Sequence, residues 1–158
     1  MITILQQQYD LVKGSREVAL NFLETEVGTD INMPIPIFEN STIRYLLVHT
    51  ANAYLVWLHN FPMGNTIEFF NDEDFKTIDA IRSLYADTNK RMDIFLTHFA
   101  NQLNEPINGT LSRNRKFTAS PLEVFTHAIT HEFHHKGQIM SMCRLLGYIS
   151  PDTDVIRF

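Results

Sequence analysis

Apolar residues recur at intervals of three and four along four stretches of the chain, the spacing that places them on one face of an α-helix. The first stretch runs from about Ile4 to Glu26, with Leu5, Tyr9, Val12, Ala19 and Leu23 close to a common face. A loop from Val27 to Glu39 follows, broken by Pro34 and Pro36. The second stretch is expected to start at Asn40 or Ser41, both good N-caps. It carries Ile43, Leu46, Thr50, Ala53 and Trp57 along its seam, and Pro62 and Gly64 end it. The third is expected to open in the acidic run Asn71-Asp72-Glu73-Asp74, which complements the positive end of a helix dipole. Its seam reads Ile78, Ile81, Tyr85, Thr88, Met92, Phe95, Phe99 and Leu103.

Between Asn104 and Ala119 the periodicity lapses, and Asn108-Gly109 offers the turn of a short hairpin. The fourth stretch opens on Ser120-Pro121-Leu122-Glu123: an N-cap, a proline at the first helical position and a glutamate three residues after the cap. It runs to Leu146 with Gly147 as the expected C-cap, and Val124, Ala128, Ile139, Met142 and Leu145 define its apolar seam. Gly137 is expected to let another helix approach closely. Neither an internal repeat nor a low-complexity segment interrupts this pattern. Four long amphipathic helices in 158 residues predict an all-α fold, a four-helix bundle forming one domain over residues 1–158.

Composition narrows the partners. The chain is 44% hydrophobic and 20% charged, as ordinary globular proteins are. A formal charge of −5 argues against nucleic acid, which needs a basic face. Arg113, Arg115 and Lys116 make a short basic patch that reads as a solvated loop. No apolar run approaches the roughly 20 residues that span a bilayer, and Met1-Ile2-Thr3-Ile4 begins no basic-then-apolar leader. The single cysteine, Cys143, forbids an internal disulfide and suits a reducing compartment. A cytoplasmic protein without membrane or nucleic-acid partners is expected.

The candidate chemistry lies in histidines. Four of the seven fall within nine residues: His127, His131, His134 and His135. On the helical wheel His131 and His135 lie in the apolar seam one turn apart, with His127 and His134 on its edge. Each buried imidazole needs partners for its polar nitrogens, and a metal ion satisfies two stacked rings at once. The best third ligand is His49, flanked by Leu46 and Ala53 on the second helix. His59, just before Pro62, suits a helix C-terminus instead, and His98 lies off the third seam, facing solvent.

His131-Glu132-Phe133-His134-His135 matches the H-E-x-x-H of zinc proteases. No glutamate follows Glu132, however, and the extended form of the motif would need a histidine at Ser141. The wheel also turns Glu132 about 100° away from His131, out of the seam. Glu132-x-x-His135 is half of a di-iron bundle signature, but no second glutamate has a histidine three residues on. Gln138 and Met142 fall on the seam, where they can line a site or pack in the core.

His131-x-x-x-His135-Lys136-Gly137-Gln138-Ile139 resembles the H-x-x-x-H-R-G-Q-I stretch of the DinB/YfiT-like superfamily, and Leu46-Leu47-Val48-His49-Thr50-Ala51 resembles its looser L-L-x-H-x-A motif. The resemblance covers the whole chain in length and helix order. It implies a four-helix bundle of up-down-down-up topology, often a homodimer, binding zinc or nickel through His49, His131 and His135. His127, His134 and Gln138 would then stand around those ligands or line a pocket beside them. It further implies a metal-dependent enzyme that transfers a low-molecular-weight thiol to an electrophilic small-molecule substrate. A metal-dependent hydrolase and a non-catalytic metal-binding stress protein are the alternatives. Lys136 stands where the family has arginine, keeping the charge but losing a planar two-pronged contact.

Overall fold

The computed structural model describes residues 2–64, 66–111 and 115–157, so Arg113 of the basic patch lies outside the described residues. Four long helices dominate. Helix α1 spans Ile2–Phe22 and continues into a π turn, Leu23–Val27. Helix α2 spans Ile43–Leu55, widens into a π turn at Val56–Asn60 and closes with Phe61–Met63. Helix α3 spans Ile78–His98, and α4 spans Pro121–Leu145. Helix α2 packs on α3 and α4, and α1 packs on the same two.

The caps follow side-chain chemistry. Ser120 and Glu123 form the reciprocal pair expected for α4. Gly147 adopts φ +96° after the helix, while the Tyr148 amide donates back to the Cys143 carbonyl. Two starts differ from expectation. Helix α2 is capped by Thr42, whose hydroxyl accepts from the Tyr45 amide. Asn40 instead sits at φ +61°, and Ser41 pairs with Ile35. Helix α3 is capped by Thr77. The acidic run forms a separate turn because Arg44, buried on α2, draws Asp72 and Glu73 to itself.

A two-stranded hairpin, β1 (Ile107–Leu111) and β2 (Arg115–Ala119), fills the gap before α4. Asn108 and Gly109 are not its turn: they lie inside β1, opposite Thr118 and Phe117. The glycine is needed because a Cβ there would come within 2.6 Å of the Phe61 backbone and ring.

Side chains bury in two apolar clusters, one at each end of the helices. One gathers Leu20, Leu23, Ile43, Leu47, Ile81 and Met142. The other gathers Tyr9, Tyr54, Phe61, Met92, Phe95 and Phe125. Between them runs a polar layer: Ser15 and Arg16 on α1, Thr50 on α2, Thr88 on α3, and Glu132, His135 and Lys136 on α4. Leu145, expected in the α4 seam, is 56% exposed, and Leu146 packs against the core cluster in its place.

Candidate metal centre

His49 comes from the middle of α2; His131 and His135 come from successive turns of α4, the helix packed against it. One ligand nitrogen from each lies within 4.8 Å of the others. The Nε2 atoms of His131 and His135 are 3.1 Å apart. Tetrahedral zinc–nitrogen bonds of 2.0–2.1 Å would hold such atoms about 3.3 Å apart. The three side chains can therefore hold a metal ion with small adjustment, and neutral imidazole is a donor that suits zinc and nickel alike.

Neighbours orient the rings. His135 Nδ1 lies 2.6 Å from Gln138 Oε1. The amide oxygen can only accept, so Nδ1 carries the proton and Nε2 presents its lone pair. Tyr45, one turn before His49, stacks on its ring at 5.9 Å. His127 stacks on His131 at 5.5 Å and meets Trp57 at 4.6 Å, so it belongs to the surroundings of the cluster. His134 is exposed beside His135. His98 is exposed, as expected, and His59 is half-buried at the π turn, away from the cluster.

Burial holds these imidazoles neutral. It lowers the pKa of His131 to about 4, with added repulsion from His135, His49, His127 and His134. His49 and His127 are lowered by burial alone. For His135 burial also lowers the value, opposed by the Gln138 contact. Lone pairs are thus available to a cation at neutral pH.

Glu132 and Lys136 correct the wheel reading. Glu132 does leave the histidine face, but it enters the core at 4% exposure rather than solvent. Arg16 grips it with Nε and Nη2, both at 2.7 Å, and the Tyr54 hydroxyl donates to the same carboxylate. Lys136 is equally buried and donates to Ser15 Oγ and the Thr153 carbonyl, with its ammonium 3.7 Å from the Phe133 ring centre. Its burial lowers its pKa to about 8. Gly137, by contrast, meets no neighbour within 4 Å of where a Cβ would stand, so no helix approaches there. Cys143 is buried and its thiol is pushed up to about 11, which makes it an inert core residue.

A cleft of about 440 Å³ opens beside His49 and His131. Tyr45, Asn52, Val56, Trp57 and Phe69 wall it. The apolar pattern of the sequence predicts Trp57 in the core seam and gives Phe69 no role. The only available signal was Tyr45, four residues before His49 on the same helix face.

Two half-buried histidines and a buried one converging between two packed helices, next to an open cleft, define a helical protein with a candidate metal site. The DinB family model matches residues 35–158, and the chain belongs to the DinB family. No curated protein matches the chain.

Proposed function

We propose that His49, His131 and His135 bind one divalent zinc or nickel ion and that the protein is a metal-dependent enzyme transferring a low-molecular-weight thiol to an electrophile. The carrying observation is three converging neutral imidazoles beside a cleft, a ligand set that leaves a position for an exogenous group. A divalent ion held there supplies Lewis acidity, which favours the thiolate form of a bound thiol. In such a transfer the thiol loses its proton to solvent. Its sulfur bonds to the electrophilic carbon, and the leaving group departs with the electron pair of the broken bond.

The chain's own groups have supporting tasks. Gln138 fixes the tautomer of His135, and Tyr45 restrains the ring plane of His49. The cleft receives the electrophile. Family membership supports the up-down-down-up topology, and a single-domain cytoplasmic homodimer completes the proposal. Among the described residues no helix is long and apolar enough to cross a membrane.

Hydrolysis is the less favoured reading, for a specific reason. A hydrolase with this motif would use Glu132 as the base beside the ion. Both oxygens of that carboxylate are occupied by Arg16 and Tyr54 in the core, off the histidine face of α4. A non-catalytic metal-binding role stands as the third reading.

The test is metal analysis of untagged protein prepared without chelator, followed by a screen of thiols against electrophiles. One ion per chain and thiol conjugation are expected. Stoichiometric metal with hydrolysis and no conjugation would replace the transferase reading. Absence of metal after incubation with zinc and nickel would end it.

A further inference from the structure

We propose that the cleft beside His49 and His131 binds an uncharged aromatic ring of the substrate, held against Trp57 and Phe69. The cleft falls within the volume of small-molecule sites, about 300–1,000 Å³, and its floor is reached by His49 and His131. Val56, Trp57 and Phe69 also wall a second, wider hollow of about 910 Å³ that runs out to the hairpin. The two are therefore one groove, with the aromatic pair at its waist.

The wall is fixed before any ligand arrives. Asn52 and Asn60, two turns apart on α2, each make a two-way hydrogen bond with the backbone of the segment 66–70. Asn60 donates to the Ile67 carbonyl and accepts from the Ile67 amide, at 3.0 and 2.9 Å. Asn52 does the same with Phe70, at 2.9 Å each way. Eight helical residues rise about 12 Å, and three extended residues cover about 10 Å, so the strap lies along the helix with Phe69 displayed. Phe69 remains 62% exposed, although a phenyl ring in water is unfavourable. Trp57 is held from its other sides by Phe61, Phe117 and His127.

The polar groups of the wall are already used, which decides the ligand class. The amides of Asn52 and Asn60 are spent on the strap. Asp72, the carboxylate of the cleft, takes two bonds from Arg44. In the cleft beside the histidines the carboxylate is paired and the asparagine amide engaged, whereas the charged Glu68 and Arg115 line only the wider hollow. Recognition at the cleft therefore falls to ring contact and area burial, which favours a flat, neutral group. The assignment rests on the metal reading only for the ligand's other end.

The probes are imidazole, 4-phenylimidazole and the para-carboxylate of the latter. Trp57 is the single tryptophan of the chain, so its emission reports the groove directly. On zinc-loaded protein 4-phenylimidazole is expected to bind at least tenfold more tightly than imidazole and than its carboxylate. Phe69→Ala, at an exposed position that does not hold the fold together, should reduce that preference about tenfold and leave imidazole affinity unchanged. Equal affinities for ring-bearing and ring-free probes, or tighter binding of the carboxylate, would overturn the proposal. Should zinc fail to bind, the same titration on metal-free protein decides. Saturable quenching by 4-phenylimidazole, weakened by Phe69→Ala, supports the ring site although the metal reading has failed. No saturation at millimolar ligand refutes the ring site as well.

Discussion

Two pairs of polar side chains stand one residue apart on α4. His131 and His135 turn toward α2 and the cleft, whereas Glu132 and Lys136 turn toward α1 and the core. The second pair is satisfied where it stands: Arg16 and Tyr54 take up the carboxylate, and Ser15 and a backbone carbonyl accept from the ammonium. The histidines have no such partners. Among the described residues the cluster contains no carboxylate, and apart from Gln138 its rings meet mainly one another. Equal polarity thus has opposite meanings. A paired charge sealed in the core is a joint between helices, and converging lone pairs at a cleft are a set of donors that could hold a cation.

The sharpest way to break the comparison is to truncate each pair in turn. Alanine at His49, His131 or His135 should abolish stoichiometric metal binding, read by metal analysis after dialysis, with little change in folding. Glu132→Gln should do the reverse. It strands the Arg16 guanidinium in the core and should cost about 3–5 kcal/mol of stability in urea denaturation, while metal content at saturating ion stays near one per chain. Loss of metal without loss of stability in this variant would mean that Glu132 belongs to the site.

Gln138→Ala refines the comparison at an intermediate scale. It leaves all three ligands but frees the His135 tautomer, and zinc affinity by competition titration should fall about 10- to 100-fold. His134→Ala, by contrast, should leave that affinity unchanged.

The smallest effect expected is on the pH dependence of the metal-free protein. The folded His131 holds a pKa of about 4 against an ordinary 6.5. Between those values the unfolded chain binds protons that the folded chain resists, so stability falls as pH falls through that window. Urea midpoints in chelator should show this decline, and His131→Asn should flatten part of it. A flat wild-type profile would mean that the cluster relaxes into solvent when protonated.

Much of the site was legible before the fold. His131 and His135 share a face at any helical spacing of four, and His49 sits within an apolar run. The four seams are buried as expected, apart from Ala53 and Trp57 at the cleft and Leu145 at the end of α4, because amphipathic period is a property of sequence. The failures share a cause: a wheel marks one buried face, and α4 has two. Packed between α1 and α2, it buries Glu132 and Lys136 on a side that reads as polar. Their partners, Ser15 and Arg16, lie more than 110 residues away in sequence. Local pattern also misread Asn108-Gly109, where the glycine answers to Phe61 rather than to a turn. The acidic run before α3 answered to Arg44, again a contact between distant segments.

The π turn in α2 has a meaning in terms of chain length. In a regular helix eight residues turn about 800°, and seven turn about 700°, close to two full turns. Asn52 and Asn60 are eight apart yet grip the same strap, because the π turn absorbs one surplus residue between them. The surplus is taken up beside the aromatic waist of the groove. Shortening Val56–Asn60 by one residue should therefore leave a straight helix with both asparagines still aligned. The fold would keep its register, and the groove alone would lose its contour.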